Sequence, residues 1–159
     1  VLPNVAEDRK YRDALPVFDL QAQAGEFSEA HSPEPVGWIE VKSARALDRR
    51  MFVGRVRGAS MEPGIPDGSW AVFRAFPAGS APSAASLDGR RVAVQLRADA
   101  DPETGGHYTL KRWRVGKLDA DGGAEVIELR PDNPSFKVRT FSAGSEEIRV
   151  VAELVEVLA

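Results

Sequence analysis

Apolar and polar residues alternate in short runs along most of this chain, and such runs predict strands rather than helices. The cleanest is 90–97, RRVAVQLR, which puts Val92, Val94 and Leu96 on one face. VGWIEVK at 36–42, the run from Met51 to Arg57 and the run from Trp70 to Phe73 alternate in the same way. PVFDL at 16–20 is a shorter candidate, and HYTLKRWRV at 107–115 is an apolar-aromatic strand that carries a lysine. Ala124 to Arg130, Phe136 to Thr140 and Glu147 to Leu158 complete the set. The last is apolar on both faces, with Ile148, Val150, Ala152 and Leu154 on one and Val151, Val155 and Val157 on the other. A strand of that kind belongs in mid-sheet or at a subunit contact. Between the runs stand turn signals: polar stretches at 43–49 and 116–123, the acidic hairpin loop ADADPETGG at 98–106, and Asp132-Asn133-Pro134. Residues 75–88, rich in Ala, Pro and Ser, read as a flexible surface loop. The expectation is a mostly β fold of roughly eight to ten short antiparallel strands.

The stretch Arg55 to Phe73, RVRGASMEPGIPDGSWAVF, holds the first candidate chemistry. Pro66-Asp67-Gly68 is turn chemistry: Pro fixes φ, Asp bonds nearby backbone, and Gly takes a positive φ. Ser60 therefore stands at the exit of one strand, on a bend before the next. Such a bend can present a hydroxyl to a cleft with backbone N–H groups beside it. Lys111 is the second candidate. On a period of two it shares a face with Thr109 and Trp113, and a lysine held against an aromatic wall loses its proton more easily, because desolvation disfavours the charged form. A neutral lysine beside a serine hydroxyl is the general base of the Ser-Lys variant of nucleophilic catalysis.

Gly58-x-Ser60-Met61-x-Pro63, the following Ile65-x-Asp67-Gly68, the Leu110-Lys111-Arg112 strand and Glu128-Leu129-Arg130-Pro131-Asp132-Asn133 together resemble the LexA and UmuD self-cleaving serine–lysine peptidases. The resemblance runs from about residue 16 to the C-terminus, and its core is shared with type I signal peptidases. It implies a LexA-like peptidase domain over 36–159, preceded at 1–35 by a mobile N-terminal arm and a self-cleavage loop. It implies Ser60 as nucleophile, Lys111 as base and the backbone N–H groups of Ala59 and Ser60 as the oxyanion site. In such proteins the cut bond lies in a loop upstream of the serine, often at Ala-Gly. Ala24-Gly25 matches in residue type and place, within the unperiodic stretch QAQAGEFSEAHSPEP. Ala-Gly also occurs at Ala78-Gly79 and Ala143-Gly144, so position rather than the dipeptide identifies the bond. The resemblance further implies a homodimer, a RecA filament as trigger, and regulation under DNA damage. Two departures are visible: Ser69 stands where an acid often follows the Asp-Gly turn, and the loops at 75–88 and 98–106 are long.

Composition narrows the remaining choices. The 159 residues suffice for one domain with a real core, and 43% hydrophobic with 28% charged is ordinary for a soluble protein. No cysteine is present, which removes disulfides and thiolate metal sites and suits a reducing cytosol. No apolar run has the length of a membrane span and no signal-peptide pattern opens the chain. The formal charge of −3 argues against direct nucleic-acid binding by this piece. Val1 in place of Met reads as a fragment of a longer protein. No cofactor or metal is expected: neither HExxH nor a His pair at ligand spacing occurs. His31 and His107, the histidines a Ser-His-Asp triad would need, lie in or beside loops with no supporting motif. Arg112 reads as a surface or ion-pair residue, and Trp38, Trp70 and Trp113 as core. Two further readings stay open: a signal-peptidase-like protease acting on other chains, and a non-cleaving dimerisation or sensor module of a transcriptional regulator.

Overall fold

The computed structural model describes residues 1–20, 34–43, 45–77, 80 and 82–158. Among these, nine strands form one sheet: β1 (Ala14–Val17), β2 (Gly37–Glu40), β3 (Met51–Arg55), β4 (Trp70–Ala75), β5 (Arg91–Leu96), β6 (Tyr108–Leu118), β7 (Ala124–Arg130), β8 (Arg139–Ser142) and β9 (Ile148–Val157). Their order across the sheet is β2-β1-β3-β4-β9-β5-β6-β7-β8. Every neighbouring pair is antiparallel except β1 and β3. The fold is the mostly β one that the alternation predicts. No described helix is long and apolar enough to cross a membrane.

The two-faced last segment is an inner strand, β9, held between β4 and β5. It carries two irregularities of register, one against each neighbour, around Val155 and Val151. Each inserts a residue and reverses the alternation, as a bulge does. This is why Val151, Leu154 and Val157 pack with one cluster although simple alternation separates Leu154 from the other two. That cluster also contains Phe52, Met61, Ile65, Phe73, Ala93 and Tyr108. Val150 and Ile148 pack in a second, around Val92, Val94, Trp113, Ile127 and Leu129. Val155 joins a third, around Leu15, Val17, Val53 and Val72.

Elsewhere the runs fix existence better than bounds. β6 continues to Leu118, beyond the expected Val115, through a register shift at Gly116. A Cβ at Gly116 would press on Glu128 Cγ at 3.1 Å, so glycine lets the two strands stay close there. β8 begins at Arg139, three residues after the expected Phe136, because Asn133 O accepts from Phe136 N at 3.1 Å and prolongs the turn. Within 75–88, Ala85–Leu87 is a single 3-10 turn whose Leu87 is buried in the second cluster. Near the N-terminus, Leu2 exchanges both backbone bonds with Trp38 at 2.7 Å, and Lys10 Nζ lies 4.9 Å from the Trp38 ring centroid. The part of the chain read as an arm thus touches β2.

Candidate active site

Ser60 lies five residues past the end of β3, in a turn pinned at several points. Gly58 takes φ +87°, a left-handed conformation that glycine adopts without strain, and its N–H donates to Asp67 Oδ1 at 2.8 Å. Gly68, at φ +84°, donates to Val56 O at 2.7 Å, so the Pro66-Asp67-Gly68 turn closes as its chemistry predicts. Met61 and Ile65 are buried in the first cluster and anchor the turn from below. The peptide bond between Glu62 and Pro63 is cis.

A second clamp comes from the segment after β7. Asn133 Nδ2 donates to Ala59 O at 3.0 Å, Asn133 N donates to Ser60 O at 2.9 Å, and Asp132 N points at Met61 Sδ at 3.4 Å. Asp132 is held by Arg112, whose Nε and Nη2 donate to its two carboxylate oxygens at 2.9 and 3.1 Å while Nη1 donates to Gly89 O at 2.7 Å. Arg112 is therefore the ion-pair residue the sequence suggested, and its fork fixes the segment that fixes the serine turn. Sequence reasoning saw only a turn in Asp132-Asn133-Pro134. Asn133→Ala would remove one of two donors to the Ala59 carbonyl, which Glu62 N also reaches at 3.1 Å, at an expected cost of about 1 kcal/mol. A denaturant midpoint measures this, and a midpoint equal to wild type would refute the clamp.

Lys111 projects from β6 onto the serine. Its Nζ lies 2.9 Å from Ser60 Oγ, 2.7 Å from Thr109 Oγ1 and 3.2 Å from Leu110 O, so the three donors of an ammonium have three acceptors. Ser60 is 4% exposed and the Lys111 side chain 13%, which removes both from bulk water. Burial pushes the Lys111 pKa below the ordinary lysine value; Asp101 and Glu103 oppose that shift and Arg139 adds to it. The Lys111–Ser60 separation lies within hydrogen-bond reach, roughly 2.6–3.2 Å, as a general base requires.

Asp101, 7% exposed, is a part of the site that sequence reasoning missed. Its Oδ2 stands 3.9 Å from Lys111 Nζ, and its carboxylate bonds the Thr109 side chain. Burial pushes its pKa up. The bonds from Thr109, from Glu103 N and from Thr104 N, with the Lys111 charge, outweigh burial and hold it below the usual range. Thr109 therefore links a buried carboxylate to a buried amine. The 98–106 loop, read only as an acidic hairpin connection, supplies that carboxylate because Asp101 Oδ1 accepts from Glu103 N at 2.8 Å and Thr104 N at 3.2 Å, folding the loop inward.

Of the two backbone donors expected at an oxyanion site, Ala59 N bonds Glu103 Oε1 at 2.6 Å. Its neighbour along the chain is Ser60 N. Trp113, read as a wall beside the lysine, packs in the second cluster and donates Nε1 to Ala84 O at 3.0 Å. His107 is exposed at the start of the lysine strand, and the group bonded to Ser60 Oγ is Lys111 Nζ. His31, Ala24 and Gly25 lie outside the described residues.

A cleft of about 170 Å³ opens on Ser60 and Lys111, with Phe18, Leu20, Met61 and Tyr108 among its walls. Leu20 and Val36, on either side of the stretch that contains Ala24-Gly25, both line it.

This arrangement can deprotonate a hydroxyl, hold it in a cleft of mixed polar and apolar lining and present backbone N–H groups next to it, the requirements for acyl transfer. The family model described as Peptidase S24-like matches residues 16–155. Among curated proteins, none matches the chain.

Proposed function

The chain belongs to the Peptidase S24-like family, the LexA/UmuD-like peptidases, and we propose that it is a serine endopeptidase that cuts its own backbone between Ala24 and Gly25. The observation that carries this reading is the 2.9 Å contact between Lys111 Nζ and Ser60 Oγ inside a cleft lined by both Leu20 and Val36. Ala24 is four residues from Leu20 in the sequence, and an extended chain spans about 3.3 Å per residue, a reach of roughly 13 Å from that wall of the cleft. Ala and Gly allow the carbonyl carbon to approach Oγ without a side-chain clash. Tethering makes the attack intramolecular, which removes the need for tight substrate binding.

In the proposed reaction neutral Lys111 takes the Ser60 hydroxyl proton as Oγ bonds to the Ala24 carbonyl carbon. The oxygen gains negative charge opposite the N–H groups of Ala59 and Ser60. The C–N bond breaks, and the Lys111 ammonium gives its proton to the Gly25 nitrogen. Lys111 then takes a proton from water as the water oxygen bonds to the ester carbon; the C–Oγ bond breaks, Lys111 returns the proton to Ser60 Oγ, and the acid released ionises to the Ala24 carboxylate. The same reading makes the protein a cytoplasmic homodimer whose cleavage serves stress or DNA-damage regulation, with a RecA filament as trigger.

Incubation at alkaline pH should yield two products, residues 1–24 and 25–159, which mass spectrometry resolves. Gly25→Glu should block the cut with the dyad untouched, because the added side chain meets the nucleophile. A cut that survives Ser60→Ala, or a native chain that stays whole through long alkaline incubation, would overturn the proposal. The second outcome would favour a non-cleaving sensor module.

A further inference from the structure

Resting on that peptidase reading, we propose that Glu103 is a carboxylate latch that closes the oxyanion site until substrate or a partner displaces it. Its Oε1 accepts the Ala59 N–H at 2.6 Å. A carboxylate oxygen on this N–H occupies the direction in which the oxyanion of the tetrahedral intermediate must bond. The closeness is allowed by Gly58: a Cβ there would collide with both carboxyl oxygens of Glu103. Gly58 without a side chain and the Ala59 donor, the two residues before the Ser60 nucleophile, thus meet one acid from a loop more than forty residues away.

The latch is fixed at its base, and its side chain stands in solvent apart from the bond to Ala59 N. Glu103 N is tied to Asp101 Oδ1, while Glu103 as a residue is exposed. Turning the side chain releases the Ala59 donor and leaves the backbone and the Asp101 bonds in place. The charged groups that act on Lys111 are Asp101, Glu103 and Arg139, and Glu103 is among those that favour its protonated form. Moving Glu103 away therefore frees an oxyanion donor and weakens the hold on the lysine proton together. A peptide carbonyl entering the cleft competes for the same N–H. A cationic group on an activating partner would draw the exposed carboxylate outward.

The test is the alkaline self-cleavage rate of the full chain carrying Glu103→Ala or Glu103→Gln, each with and without Ser60→Ala. Glu103→Ala removes the latch and should cut about tenfold faster than wild type, the scale of one charge-assisted hydrogen bond. Glu103→Gln keeps an oxygen that can accept from Ala59 but loses the charge, and should fall between the two. A residue with a merely structural role would slow cleavage or leave it unchanged. Circular dichroism checks folding, and if Glu103→Ala does not fold, the Gln variant alone decides. Wild type that cuts through Ser60 with neither variant faster would overturn the latch and leave the peptidase reading standing. No Ser60-dependent cut in any of these proteins would overturn both.

Discussion

Lys111→Arg should abolish the proposed self-cleavage as completely as Ser60→Ala or Lys111→Ala, a loss on the order of 10⁴-fold or more for each. The alanine variants remove the nucleophile and the base. The arginine variant separates two roles that Lys111→Ala confounds. A guanidinium has the donors to serve Ser60 Oγ and Thr109 Oγ1, but it keeps its proton throughout the accessible pH range. If Lys111 only oriented the serine, Arg would retain much of the activity. If it takes the proton, Arg is inert and higher pH does not rescue it. The double variant Ser60→Ala/Lys111→Ala should be no worse than either single one, because the two act as a unit. Ser60→Ala removes one of three acceptors of Lys111 Nζ and leaves those of Thr109 and Leu110. Its stability should change by only about 1 kcal/mol. Time courses read by gel and mass spectrometry, with thermal unfolding beside them, check this. Cleavage by Lys111→Arg within tenfold of wild type would refute the base role.

Parts of this site could be read in the sequence because they are local. The turn after β3 announces itself through Gly58, Pro66, Asp67 and Gly68, and each does in space what its chemistry requires. β5 and β7 show their alternation and fall within one residue of expectation. The pairing of Ser60 with Lys111, 51 residues apart, has no local signature. It was legible only through the resemblance of the two motifs to a known family. Asp101, Glu103 and Asn133 escaped for a related reason. Each acts through a side chain that folds back on a distant turn, and no periodicity marks a loop that turns inward rather than out. The one local hint was length, since a nine-residue connection between paired strands is longer than a hairpin needs. β9 shows the opposite failure: its pattern was plain, but the two bulges that redistribute its residues among three clusters follow from neighbours rather than from its own sequence.

The rate of self-cleavage should climb by about tenfold per pH unit from about pH 7 and flatten at the pKa of Lys111, below the ordinary lysine value of about 10.4. Only the neutral amine can accept the serine proton, and below its pKa that form grows tenfold with each unit. Burial sets the direction of the shift, because the cleft removes Nζ from water that would solvate its charge. Asp101 and Glu103 hold the shift in check. Asp101→Asn should therefore move the plateau to lower pH, provided Asn keeps the bonds to Glu103 N and Thr104 N that its shape permits. The same displacement has a stability consequence of definite sign. A lysine whose folded pKa lies below its unfolded one binds its proton more tightly in the unfolded chain. Through the window between the two values the unfolded state carries more protons, so stability rises with pH there. At neutral pH the buried ammonium costs stability, and that cost disappears as pH passes the folded pKa and approaches about 10.4. Chemical denaturation of Ser60→Ala, which stays whole at alkaline pH, should show this rise, and Lys111→Met in the same background should lack it. A cleavage rate that falls from about pH 7 to 10 would exclude Lys111 as the base, since the neutral amine can only gain population over that range.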